Sequence, residues 1–377
     1  LFLETMGPPS AGFRHRSEGW ARRLRALDMK VDVRCAVQFG RQTQWRQSRI
    51  GMMRLHLSYL FVRFAQCIRS ADYDVVVVRR EVLLYNDYGF LFFEKWLRRI
   101  HPNLVLDADD DIAAAKREPR RLTPFGKLML EHPAKFTASL ACYDKVMVAS
   151  GYLKTRFATL ASKPDGSVLV VPTCVQPSEM RLKNYQTNVG TVVIGWIGSS
   201  HNFADLNVAL PALEKIITRF DTEVIIVSDR MPDHIGFPVT FVPWSVERED
   251  ENFMKLDIGI MPVAASDEGR GKAGFKLLQY MACGLVSVAS SVTVNGEIVE
   301  DGVNGFLVHR EADWFDVFEK VLLSRTRFAS IGRDAVDTVA ARYSYDAHEK
   351  AFVDFITTPV AAEQEQVATG PTKTAAR

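Results

Sequence analysis

The stretch GRGKAGFKLLQYMACG, residues 269–284, sets Lys272 and Lys276 among glycines at the mouth of an otherwise apolar run. Leu277, Leu278, Met281 and Ala282 fall at helical spacing, which predicts a buried helix from about Gly274, stopped by Gly284. Both lysines then crowd the positive end of the helix dipole, where a cation is disfavoured unless an anion joins it. Gly271, Gly274 and the flanking Phe275 would let such an anion approach backbone N–H groups closely. Read by themselves, the two lysines fit a solvated surface turn equally well.

Other residues carry chemistry of the same kind. Gly198, Ser199 and Ser200 close an apolar strand just before a helix that begins near Asp205, a place where a phosphate meets hydroxyls and a helix N-terminus. No G-x-G-x-x-G pattern accompanies them, which argues against a dinucleotide site. Asp107, Asp109, Asp110 and Asp111 end another strand. Asp109 among them reads as a base or acceptor-orienting carboxylate, as a hard-oxygen metal ligand, or as a cap. His132 and His201 lack metal-ligand spacing and receive no role.

The elements that must position these residues alternate. KVDVRCAV, YDVVVVRR, NLVLDADDD, DKVMVAS and GSVLVVP read as strands in the first half. GTVVIGWIGSS, TEVIIVSD, VTFVPW, DIGIMPV and LVSVAS read as strands in the second. Helical faces lie between them, marked by Trp20, Leu24 and Leu27, and again by Met53, Leu57, Phe61, Phe64 and Ile68. Near-continuous apolar strands separated by helices predict parallel sheets covered on both sides. The polar stretch 176–190 reads as a linker between two doubly wound halves, whose ligands bind at the carboxyl ends of the strands.

Overall charge names no partner, since 47 Lys and Arg face 45 Asp and Glu. Its distribution does: residues 1–71 hold 13 basic against 4 acidic side chains, an excess of 9 that favours anionic partners. Within that region, 52–64 is apolar but interrupted by Arg54, His56 and Arg63, too short to span a bilayer. It reads as a core helix with snorkelling arginines or as an interfacial helix. The five cysteines form no C-x-x-C pair and predict reduced thiols in the cytoplasm.

The continuous run GFKLLQYMACGLVSVASSVTVNGEIVEDGVNGFLV, residues 274–308, resembles the signature of retaining nucleotide-sugar glycosyltransferases of the GT-B fold, family four. DIGIMPV, GWIGSS, DKVMVASGYLKTRF and VLVVPTCVQ follow the order of the same family, so the resemblance extends over nearly the whole chain. It implies two Rossmann-like domains facing across a cleft: 1–184 on the acceptor side and 185–342 holding the nucleotide sugar. A helix over 343–357 would cross back to the first domain, followed by a disordered tail, 358–377. It also implies transfer of a hexosyl or deoxyhexosyl group from a nucleoside diphosphate to a glycan, lipid-linked or small-molecule acceptor, in polysaccharide biosynthesis. No metal and no further cofactor would be required, and no nucleic acid is implied as partner.

The departures from the family pattern matter as much. The family places two glutamates eight residues apart, the second on the donor ribose; here these positions hold Gly271 and Gln279. The basic residues expected after the first strand of the second domain are replaced by Ser199, Ser200, His201 and Asn202. Lys272 and Lys276 then stand as relocated diphosphate ligands. Asp109 occupies the place of a histidine near the transferring carbon. The resemblance makes Ser10, Arg14 and Arg16 cleft residues, and sets Trp244 and Val246 around the nucleobase, where a core tryptophan is an equal reading. The expected setting is cytoplasmic, with peripheral contact on the inner face of an anionic membrane. Because the glutamate pair is missing, a non-catalytic nucleotide-sugar-binding subunit and a GT-B-type sugar-nucleotide epimerase stand as alternatives.

Overall fold

A computed structural model describes residues 1–38, 48–83, 90–113, 133–163, 165–185 and 190–358. The expected tail beyond Thr358, and His132, lie outside the described residues. The chain divides into two compact units, Leu1–Pro172 with Glu349–Arg377, and Thr173–His348.

The first unit is built on a six-stranded sheet in the order β2-β1-β3-β4-β5-β6, every pairing parallel. The strands are β1 Phe2–Met6, β2 Val33–Val37, β3 Val76–Arg79, β4 Leu104–Ala108, β5 Lys145–Val148 and β6 Val168–Val170. All residues of β3, β4 and β5 are buried, as expected of a sheet with helices on both faces. Its helices include α1 Gly19–Ala26, α2 Arg49–Ser70, α3 Phe92–Ile100 and α4 Gly151–Ala161. Ser48 and Ser150 cap α2 and α4, each hydroxyl accepting the N–H three residues on, from Gly51 and Leu153.

The second unit repeats the scheme in the order β12-β11-β10-β7-β8-β9, again all parallel. Here β7 is Val192–Ile197, β8 Thr222–Ser228, β9 Thr240–Pro243, β10 Ile258–Met261, β11 Val286–Ser290 and β12 Phe306–Val308. Sequential winding reverses between β7 and β10, which makes their carboxyl ends the switch point where doubly wound sheets take ligands. The helices α5 Leu210–Arg219, α6 Phe275–Ala282, α7 Trp314–Leu323 and α8 Phe328–Arg342 cover this sheet. A Cβ on Gly259 would lie 2.4 Å from the Tyr280 ring, so the glycine lets α6 settle onto β10. The Tyr280 hydroxyl accepts the Ile197 N–H at 2.8 Å and ties the same helix to β7.

The units divide between residues 172 and 173, not between 184 and 185 as the polar linker suggested. That segment is bonded into the second unit: Val175 N–H donates to the Tyr343 carbonyl and Lys183 N–H to that of Cys283. Tyr185 donates to the Asp257 carbonyl and accepts the Val286 N–H. The last helix, α9 Tyr345–Thr357, carries the chain from the second unit to the first, with the division after His348 instead of 342. Trp20 of α1 stacks on Phe352 of α9 at 3.9 Å, and buried Lys145 donates to the carbonyls of Phe355 and Thr358.

Candidate functional site

In the second unit, the carboxyl ends of β7 and β10 meet the N-terminus of α6. Gly274 caps that helix in the left-handed region, φ 68°, a conformation in which a side chain is strained. The first-turn N–H groups have no partner inside the helix, so this end presents donors and partial positive charge.

The two lysines differ. The Lys272 ammonium pairs with Asp205 and donates to the Asn202 side-chain oxygen at 3.0 Å. Asp205 in turn accepts the Ala264 N–H at 3.0 Å, so Lys272 is braced by the short helix Phe203–Leu206 and the loop after β10. Lys276 is half-buried and takes no hydrogen bond or ion pair among the described residues. Burial pushes its ammonium down to about 8, with the Glu249 carboxylate opposing and the Lys272 ammonium adding to the effect. A cation in this state gains from any anion that reaches it. Gln279, one turn on, is 6% exposed and its amide has no partner among the described residues. Asn295, fully buried, donates to the Ser290 carbonyl at 3.1 Å while its own side-chain oxygen is unmatched and would lie 3.4 Å from a Cβ on Gly274. Gly271 is buried, and Phe275 packs half-buried against the cluster that contains Leu278 and Val294.

Several expected donor residues are committed elsewhere. Ser200 donates its N–H and its hydroxyl to the Asp229 carboxylate at 2.6 and 2.7 Å, so it is not a free phosphate ligand. Partial desolvation works against that carboxylate's charge, but the Ser200 bonds outweigh it and hold Asp229 below the usual range. Gly198 donates its N–H to the Val227 carbonyl; a Cβ there would strike the Trp196 ring at 2.2 Å, which explains the glycine sterically. Ser199 is exposed. Trp244 packs half-buried against the cluster containing Ile197, Val227 and Phe253, and its backbone N–H is spent on the Ser228 carbonyl. Its ring is therefore part of the core edge, while half-buried Val246 opens the next turn.

In the first unit, the carboxyl ends of β1, β3 and β4 hold a buried ion network. Arg16, 1% exposed, pairs with Asp107 and donates to the Val171 carbonyl at 2.8 Å. The expectation of a cleft arginine at this position is corrected: its guanidinium cements the loop after β1 to β4. Arg79 pairs with Asp109 and, at 3.5 Å, with Glu4. Arg80, whose φ of 64° lies in the left-handed region, pairs with Asp109 and Asp110. Burial opposes the charge on Asp109, but the Arg79 and Arg80 guanidiniums prevail and hold its carboxyl far below the usual range. Such a carboxylate is a poor proton acceptor at neutral pH, so the base expected at Asp109 becomes a charge-holding residue. The metal reading fails for the same reason: its oxygens are taken by guanidiniums, while one oxygen of Asp111 pairs with Arg156 and the other accepts the Ala113 N–H. Ser10 accepts the Phe13 N–H at 3.3 Å and opens the helical turn that carries half-buried Arg14.

Comparison with known proteins bears on both units. Residues 191–323 match the family model for glycosyl transferases group 1. WaaG, a glycosyltransferase involved in lipopolysaccharide biosynthesis, superposes with a TM-score of 0.66 at 16% identity over 94% of this chain and 99% of its own. HepE of Anabaena, solved with UDP-glucose, gives 0.65 at 13% identity over 94% and 98% of the two chains. The fold is GT-B. Sucrose-phosphate synthase of Thermosynechococcus elongatus shares it at a TM-score of 0.61 and 13% identity, covering 85% of this chain and 80% of that one. No curated protein matches the chain in sequence.

Within this GT-B chain, the structure brings Lys272, Lys276, Gly271, Gly274, Phe275 and Gln279 together around one helix end of the segment that matches the group 1 model. Sequence reasoning missed Asn202, Asp205, Asp229 and Asn295 there, and Glu4, Arg79 and Arg80 in the first unit. Only Arg79 and Arg80 left a signal, as a pair of cations closing an apolar strand.

Proposed function

We propose that the protein is a glycosyltransferase moving a hexosyl or deoxyhexosyl group from a nucleoside diphosphate sugar to a glycan, lipid-linked or small-molecule acceptor, with retention of configuration. The observation that carries this reading is Lys276: a half-buried ammonium with no direct ion pair or hydrogen bond among the described residues, at the N-terminus of α6 in the segment that matches the group 1 model. Departure of the nucleoside diphosphate places negative charge on its outer phosphate. Lys276, the braced Lys272 and the helix-end N–H groups are preorganised to stabilise that charge, the task a divalent cation performs in other transferases. Gln279 offers donor and acceptor atoms to the ribose where the family uses a glutamate. Asp109 holds Arg79 and Arg80 in place instead of moving a proton. Retention comes from the family resemblance, and attack on the face that the diphosphate leaves suits the absence of an evident nucleophile. The free thiols of the described cysteines suit a cytoplasmic setting.

The missing glutamate pair, Gly271 and Gln279, favours a second reading, a subunit that binds nucleotide sugar without turning it over. One experiment separates the two. UDP-, GDP-, ADP- and dTDP-sugars are screened for thermal stabilisation, since a ligand of the folded state raises apparent stability. Release of nucleoside diphosphate from each stabilising sugar is then followed with and without acceptor extract. Acceptor-dependent release supports transfer, and stabilisation without release supports the binding subunit. Neither response would refute both readings.

A further inference from the structure

Helix α2 turns an apolar face to solvent. Ile50, Met53, Leu57, Phe61, Phe64 and Ile68 recur at spacings of three and four and are 46–74% exposed. They form a row of about 27 Å along one side of the helix. Two inward side chains are polar, beside buried Met52, Leu55 and Cys67. Tyr59 donates to the Thr5 carbonyl at 2.9 Å, and fully buried Arg63 donates to the carbonyls of Val82 and Glu4 at 2.7 and 2.6 Å. An ordinary surface helix keeps its outer face polar.

The patch continues onto α3. Phe64 meets Trp96 at 5.3 Å between ring centres, Trp96 meets Phe92 at 5.8 Å, and Phe92 and Phe90 are 58% and 72% exposed. Apolar surface on this scale, on the order of several hundred Å2, marks a contact site in a soluble protein. Its charge names the partner. From Val33 to Ala71 the sequence holds seven arginines and no Asp or Glu, and Arg54, Arg69, Lys95 and Arg99 are exposed on α2 and α3. A two-fold contact between copies would set this surface against itself, arginine against arginine with no carboxylate on α2 to relieve them. Lipid phosphates would accept the guanidiniums while acyl chains take the phenylalanines.

We infer that the outer face of α2, extended by Trp96, Phe92 and Phe90, lies on an anionic phospholipid bilayer. No helix among the described residues is long and apolar enough to cross it. The contact stands on this geometry; that the sugar acceptor is borne by the same bilayer rests on the glycosyltransferase reading.

The test is co-sedimentation of the full chain with phosphatidylcholine vesicles, with and without phosphatidylglycerol. The wild type sediments with the anionic vesicles and is released as salt rises from low to moderate, because the charge attraction fades within a Debye length. Leu57→Ser with Phe61→Ser removes only outward side chains and lowers the partition at least tenfold, with unchanged melting temperature and nucleoside diphosphate affinity. Arg54→Glu with Arg69→Glu abolishes the preference for anionic lipid. Should the double serine variant misfold, Phe61→Cys carrying a polarity-sensitive dye reads the contact directly by a blue shift on vesicles. Equal, negligible sedimentation of the wild type with both vesicles overturns the inference. So does a solution dimer that the serine variant dissociates without any vesicle binding. Nucleoside diphosphate affinity, measured on the same preparations, keeps failure of the surface distinct from failure of the donor site.

Discussion

Replacing Lys276 separates binding from stability. Its ammonium is half-buried, makes no direct ion pair among the described residues and is pushed down to about 8 chiefly by burial, against the pull of the Glu249 carboxylate. Lys276→Ala removes a group that costs the unliganded fold energy, so the melting temperature without ligand is unchanged or higher. The same variant loses a charge-assisted bond to phosphate, worth about 1.5–3 kcal/mol, so nucleoside diphosphate affinity falls about tenfold to a hundredfold. The pH dependence follows. Because the folded group titrates below its unfolded value, unliganded stability is flat below about pH 8 and rises from there toward the ordinary lysine range. Nucleoside diphosphate affinity moves the opposite way. It is highest near pH 7, where the ammonium is mostly protonated and the phosphate mostly ionised, and falls as pH rises through about 8, by up to about tenfold per pH unit above it. Lys276→Arg keeps the charge and flattens the profile. Calorimetric titration with nucleoside diphosphate across this range is the assay. A flat wild-type profile together with unchanged affinity in Lys276→Ala would refute the assignment.

Lys272→Ala is expected to lose both affinity and stability, since it leaves the buried Asp205 carboxylate without its ammonium; calorimetry and thermal unfolding read the two losses. Asp109→Asn strips a partner from Arg79 and Arg80 and should destabilise the first unit by about 3 kcal/mol, visible in urea unfolding. An Asp109→Asn protein that unfolds like the wild type would show the pairings to be idle. Gln279→Ala should weaken nucleoside diphosphate by about tenfold with little change in melting, because its amide bonds to nothing described in the unliganded chain.

The parallel sheets were legible because strands buried on both faces are written as apolar runs, VVVV at 75–78 and LVL at 104–106 variants of one signal. The row Met53, Leu57, Phe61, Phe64 and Ile68 was legible as a helix face but not in its direction. Periodicity shows that side chains share a side; it does not say whether that side meets the core, and here Tyr59 and Arg63 turn inward to carbonyls of other strands and loops. The lysine cluster was visible from composition at a helix mouth, whereas its division of labour was not. Lys272 is neutralised by Asp205, 67 residues away, and no local spacing encodes that pairing. Asp109 misled for the same reason: its guanidiniums arrive from the end of β3 and change a plausible base into half of an ion network.

The central claim is transfer of sugar from a nucleoside diphosphate. Its most direct test is NMR of the anomeric signals while the protein acts on a stabilising nucleotide sugar in the presence of acceptor extract. The account predicts acceptor-dependent loss of the donor signal, growth of a glycoside with the same anomeric configuration, and a rate at least about tenfold lower in Lys276→Ala. A donor that persists unchanged with every acceptor, or that becomes its epimer with no acceptor present, would contradict it.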